Sequence, residues 1–205
     1  MKFKILCVLV TALFIAGCGM PKMVQHTTKG QVSSPNKVVV IGRFVLTPSV
    51  LTDIEQQTHW NVVGDERIIN TVFMATGPNN QPASAQLGGS DWQQTIEVQW
   101  GQPFMVELDK RTTWLNGGFM FLDALKQERL WFPGGFYFDV PKDAGVIYIG
   151  TLHYIRNEFN TVKHIEVINE LTETIAALNV SADDVTVSLM QFPEAEKLDV
   201  IASLY

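Results

Sequence analysis

Two histidines and a glutamate lie where a hairpin could bring them onto one sheet face. His153 falls in 146–156 (VIYIGTLHYIR), and His164 and Glu166 fall in 161–169 (TVKHIEVIN). The link Asn157-Glu158-Phe159-Asn160 reads as a turn between two β-branched and aromatic runs. A loop symmetric about Glu158-Phe159 pairs Arg156 with Thr161, His153 with His164 and Thr151 with Glu166. Opposed side chains stand about 4.5–5.5 Å apart at Cβ. That spacing suits two imidazoles and a carboxylate around one metal ion. The plainer reading is two half-exposed histidines on a sheet surface, with no metal or other cofactor. A slip of one residue would also send them to opposite faces. The other face of the hairpin presents Tyr148, Leu152, Tyr154, Ile165 and Val167 to a core.

The tryptophans offer a different chemistry. Trp60, Trp92, Trp100, Trp114 and Trp131 are many for this length, and aromatic faces stack on sugar rings. Trp92, beside a Gly-rich stretch, and Trp114, in Arg111-Thr112-Thr113-Trp114, are expected at the surface as glycan contacts. The competing reading is large aromatics filling a core that has no disulfide to brace it.

Catalytic signatures are missing. The chain has no G-x-S-x-G, H-E-x-x-H, G-x-x-x-x-G-K-[ST] or C-x-x-C. Carboxylates are plentiful enough for glycoside hydrolysis, but no spacing singles out a pair. Asp183-Asp184 after Ser181 reads as a turn or helix cap, and Lys110-Arg111 as a solvated turn.

The rest of the chain supplies the elements that must position these residues. Strand patterns fall at 37–47 (KVVVIGRFVLT, apolar on both faces and ended by Pro48), 66–76, 95–100, 104–108, 119–122, 130–132, 136–140, 146–156, 161–169 and 185–191. Residues 50–58 read as a short helix or a loop, and 77–91 as a long loop. Asn116-Gly117-Gly118 and Pro133-Gly134-Gly135 read as turns. Leu171, Ile175 and Leu178 make one apolar helical stripe, with Asn169 as N-cap and Asn179 as the stop. The tail after Pro193 reads as a short helix. The whole is expected to be mainly β, an antiparallel β-sandwich with one late α-helix around 170–178.

The N-terminus carries its own signal. Met1-Lys2-Phe3-Lys4 is basic, 5–16 is an apolar run of twelve, and Ile15-Ala16-Gly17-Cys18 follows. A basic start, an apolar run of about 7–15 residues and a small-residue cleavage site mark a secretory signal. The run is shorter than the roughly 20 residues of a spanning helix. The tetrapeptide resembles the lipobox of bacterial lipoprotein precursors. That resemblance implies removal of 1–17 and a diacylglyceryl thioether on Cys18, with further acylation, such as palmitate, on its amine. The following residue is Gly19 rather than Asp, which in a Gram-negative source implies the outer membrane, facing the periplasm.

Cleavage leaves 188 of the 205 residues, with 13 basic and 21 acidic side chains and a formal charge of −8. Cys7 leaves with the signal and Cys18 carries lipid, so the domain has no disulfide. An acidic domain is a poor match for nucleic acid and is expected to stand off anionic lipid. Residues 18–36 are polar and read as the lipidated cysteine and a flexible tether, and 37–205 as a single β-rich domain. Residues 131–178, with Pro-Gly-Gly, FYFDV and YIGTL in order, resemble transthyretin-like sandwich domains and segments of bacterial lipoproteins. The resemblance implies a fold class and no catalytic residues. The function expected is that of a membrane-anchored lipoprotein with a non-enzymatic binding or structural role and an envelope protein as partner. A glycan- or peptidoglycan-binding module is the alternative and a hydrolase the third.

Overall fold

The computed structural model describes residues 22–27, 32–49, 70–83, 92, 94–122 and 128–193. The strands among them are β1 (Lys22–Met23), β2 (Lys37–Thr47), β3 (Thr71–Gly77), β4 (Gln94–Gln99), β5 (Pro103–Asp109), β6 (Thr113–Phe121), β7 (Arg129–Phe132), β8 (Phe136–Phe138), β9 (Val146–Arg156), β10 (Val162–Ile168) and β11 (Val185–Val187), with one helix, α1 (Leu171–Leu178). Expectations for the signal and Cys18, for 50–58, the first part of 66–76, 84–91 of the long loop, Trp60 and the tail after Pro193 lie outside the described residues.

Two sheets face each other, as the alternating strands predict. The first runs β1-β4-β3-β6-β7, with β8 also on β6; the second runs β10-β9-β2-β5, with β11 also on β9. Most neighbours are antiparallel, but the central pair β2–β9 is parallel. Between the sheets lie Val40, Phe44, Val72, Ile96, Leu115 and Tyr154 among others. The second sheet is buried on its outer face too. Val39, Ile41 and Tyr148 pack there beneath Leu171, Ile175 and Leu178 of α1. This explains why β2 is apolar at successive positions: both of its faces are covered.

Glycines account for three departures from the sequence reading. Tyr148 was expected on the inner face with Leu152 and Tyr154, yet it lies under α1. The strand shifts register between Ile41 and Arg43 of β2, and Gly150 there takes a φ of +92°. A bulge inserts one residue and inverts the alternation. The expected turn Asn116-Gly117-Gly118 lies inside β6. Pro133-Gly134-Gly135 is no hairpin turn either, since β7 and β8 run on along the same side of β6. The two Gly pairs meet backbone to backbone. A Cβ on Gly134 would sit 2.0 Å from the Gly117 nitrogen, and one on Gly118 2.5 Å from the Phe73 carbonyl oxygen.

The segment 185–191 forms a strand only over β11, and its remainder hooks onto β8 through the Tyr137–Gln191 bridge. The helix is stopped by Asn179 with φ 55°. Its N-cap is Glu170, one residue later than expected, while the Asn169 Oδ1 accepts the Leu171 N–H at 3.3 Å.

The flexible tether expected over 18–36 is corrected for its described part. Lys22 and Met23 pair in parallel with Gln94 and Thr95 of β4. The chain then crosses to the other sheet. Val24 N–H donates to Thr95 O, Glu107 N–H to Gln25 O, and Thr27 N–H to Met105 O. After this crossing, Ser33 donates to the Glu107 carboxylate from its backbone N–H and its hydroxyl, each at 2.6 Å. Composition misled because strand pairing needs only backbone N–H and C=O groups, not apolar side chains. β4 and β5 are adjacent edges of the two sheets, and open edges call for a cover. The N-terminal segment is a strap over both. Two residues before Met105, to which Thr27 donates, β5 begins with Pro103, which has no N–H to offer an incoming strand.

Candidate functional site

The end of the sandwich built by the last residue of β2 and the β9–β10 hairpin gathers the residues singled out above. The loop runs from Asn157 to Thr161, with Asn157 N–H donating to Thr161 O. Arg156 pairs with Val162 instead of Thr161, and a further register shift between Val162 and His164 follows. His153 therefore faces Glu166, and His164 faces Ile155. The expected pairs His153–His164 and Thr151–Glu166 do not form. One residue is gained in the loop and one in the bulge. A slip of two keeps side chains on their face, so the three still share a surface.

Their geometry is that of a hydrogen-bonded row. His153 Nδ1 lies 3.0 Å from Glu166 Oε1, and its Nε2 lies 2.8 Å from the Thr47 hydroxyl. His164 Nε2 stands 3.9 Å from Glu166 Oε2, and its side chain is 62% exposed. Both ring nitrogens of His153 are thus engaged by protein. Among the described residues, no group of three His, Cys, Asp or Glu side chains is placed to hold a metal ion.

The loop itself is braced from below. Arg156 is 5% exposed although it carries a guanidinium. Its Nε donates to Pro48 O at 2.8 Å, one terminal nitrogen to Ser49 O at 3.0 Å and the other to Asn160 Oδ1. Asn157 Oδ1 accepts the N–H of Phe159 at 3.0 Å and of Thr161 at 2.9 Å. Asn160 takes the left-handed conformation, φ 59°, which Asn tolerates better than most residues. On top of this fixed loop Phe159 is 78% exposed. In the sequence, Phe159 marks only the centre of the turn. An aromatic between turn-forming Asn residues, with no apolar neighbour in the loop, was the available signal.

Below the row, a polar cluster ties α1 to the sheet. Glu170 Oε2 accepts the Thr151 hydroxyl at 2.7 Å and faces the Arg43 guanidinium at 3.4 Å. The Glu170 N–H donates to the Tyr148 hydroxyl at 2.7 Å.

The expected glycan contacts separate. Trp92 is 1% exposed, a correction to its expected surface position. It lies on the outer face of the first sheet, against Phe119 and Trp131. That face is itself apolar, with Phe73 stacked on Phe119 and Arg129 lying 5.4 Å above the Phe119 ring. Trp92 covers it. Trp114 is half-buried on the same face, 4.8 Å from Tyr137 between ring centroids. Trp100 is in the core and Trp131 half-buried.

Two carboxylates, Glu107 and Asp109, are shifted from their ordinary values, both downward. Glu107 is held below its ordinary value first by the Ser33 hydroxyl, with partial burial opposing. Asp109 is held down first by its hydrogen bond from Lys37, at 2.8 Å, again against partial burial. A general acid needs the opposite shift. Burial pushes the Tyr154 phenol above its ordinary value, and its hydroxyl donates to Pro133 O at 3.0 Å.

Among known proteins, no family model, no curated protein and no solved structure gives a significant match to this chain.

Proposed function

We propose that this chain is the precursor of an envelope lipoprotein, anchored through lipid on Cys18, that binds a protein partner with the β9–β10 pole and catalyses nothing. The observation that carries the partner reading is Phe159, 78% exposed on a loop fixed by Arg156 and Asn157. An aromatic side chain has few rotatable bonds, and a loop already held in place loses little entropy when it docks. Rigid aromatics of this kind supply most of the energy in many interfaces. The anchor reading rests on the Ile15-Ala16-Gly17-Cys18 tetrapeptide and the signal before it. Gly19 favours the outer membrane, facing the periplasm, for a Gram-negative source. A glycan platform made by Trp92 with Trp114 is less well supported, because Trp92 is enclosed.

Photocrosslinking in intact cells tests the reading. A photoreactive residue replacing Phe159 should give a discrete protein adduct in the membrane fraction. The same residue replacing Val187, 46% exposed elsewhere on the domain, should give none. Equal adducts from both positions, or none from either, would refute the partner site. Loss of palmitate incorporation in Cys18→Ser tests the anchor separately, and retained incorporation would refute it.

A further inference from the structure

We infer that the pole opposite the hairpin lies on the phospholipid surface, with Lys110, Arg111, Lys142, Trp114 and Tyr137 at the headgroups. This rests on the lipid anchor proposed above and adds an orientation to it. The strap is the reason. Lys22 is already paired with Gln94 at the foot of β4. Only residues 19–21 separate it from Cys18. Four Cα steps of 3.8 Å reach about 15 Å at most. A free 17-residue tether would instead let the domain wander over roughly 20–25 Å. The strap therefore holds one particular end of the sandwich beside the bilayer.

That end has the chemistry of a membrane interface. Arg111 donates to Gln94 Oε1 at 3.2 Å, beside the entry of the strap, and Lys110 Nζ donates to Lys142 O at 3.2 Å. Basic side chains near a bilayer pair with lipid phosphates. Trp114 and Tyr137 form a half-buried aromatic pair on the first strand turns above them. Trp and Tyr settle at the headgroup level, where one end of the ring is apolar and the other wet. Two of the acids there are engaged, Asp109 with Lys37 and Arg111, and Asp139 with the Thr112 hydroxyl. Asp143 and the Asp183-Asp184 pair stand at a similar level, where the cationic ends of zwitterionic headgroups would meet them. With Lys37, this pole carries four cations against five acids, so it is close to balanced within a mature chain of formal charge −8. β9 runs from this level to the hairpin through 11 residues, about 33 Å at roughly 3.3 Å each. Phe159 then points away from the membrane, toward a partner in the aqueous space.

The test uses the full lipidated protein, which has no cysteine thiol once Cys18 is modified. Lys142→Cys and Phe159→Cys each receive one environment-sensitive fluorophore. The proteins are reconstituted in vesicles of zwitterionic and anionic phospholipid carrying headgroup nitroxides. Most of the emission at 142 should be lost to the quencher and none at 159. A third protein adds Val24→Pro to Lys142→Cys, removing the N–H that bonds Thr95 O. Its quenching should fall toward that of position 159. Equal quenching at 142 and 159 in protein that floats with the vesicles would overturn the orientation alone. Protein that does not float would overturn the anchor, and the orientation with it.

Discussion

Replacing Arg156 by Met should destabilise the domain by about 3 kcal/mol. The guanidinium makes hydrogen bonds that include those to Pro48 O, Ser49 O and Asn160 Oδ1, at 5% exposure. Hydrogen bonds to a charged group contribute about 1.5–3 kcal/mol each, so three give roughly 4.5–9 kcal/mol. Drying the charge costs several kcal/mol, which leaves about 2–4 kcal/mol net. Met fills much of the same volume, so the loss measures the bonds rather than a cavity. At about 2–4 °C per kcal/mol for a domain of this size, Tm should fall by about 6–12 °C. Thermal unfolding followed by circular dichroism reads it. Arg156→Lys keeps the charge but not the three-way reach, and should fall between Met and the parent chain. A Tm within about 2 °C of the parent for Arg156→Met would show that the guanidinium does not brace this pole.

Three further outcomes follow from the same structure. The carboxyls of Glu107 and Asp109 are held below their ordinary values in the folded chain, so they contribute stability above the ordinary carboxylate range and lose it as pH falls through their folded values. Tm of the parent should therefore drop in acid, and Glu107→Gln should be less stable at neutral pH yet converge with the parent at low pH; a constant difference at all pH values would contradict this. Gly134→Ala places a Cβ 2.0 Å from the Gly117 nitrogen and should abolish cooperative unfolding of the first sheet, a prediction that a parent-like melting curve would defeat. Zinc added to the purified protein should leave Tm unchanged, because His153 already spends both ring nitrogens on Glu166 and Thr47; a saturable rise with shifted histidine NMR signals would reveal a metal site.

Much of this fold was legible where local pattern and burial agree. β2 and β9 occupy the expected residues because their β-branched runs are buried on two faces. The helix stripe Leu171, Ile175, Leu178 lands on the second sheet for the same reason. Legibility failed where backbone meets backbone. Gly-Gly reads as a turn in any single segment, and only the approach of Gly134 to Gly117 makes it a bulge inside a sheet. The strap was hidden likewise, since its polar side chains carry no trace of the edges that its backbone covers. The histidine row shows an intermediate case. Parity fixed the shared face, but loop and bulge together moved the histidine pairings by two residues. Phe159 was visible as a residue but not as a site, because its meaning comes from the buried Arg156 beneath it.

The contribution of Phe159 to partner binding is the measurement that reaches furthest. A photoreactive residue at Glu158, beside Phe159 in the loop, reports partner contact in intact cells with Phe159 either kept or replaced by Ala. Truncating a central aromatic contact costs about 2 kcal/mol or more, and each 1.4 kcal/mol is a factor of about ten in binding. Adduct yield should fall at least tenfold in Phe159→Ala while the Tm and membrane association of the protein stay as in the parent. An unchanged yield would mean that the partner, if it meets this pole at all, does not use Phe159.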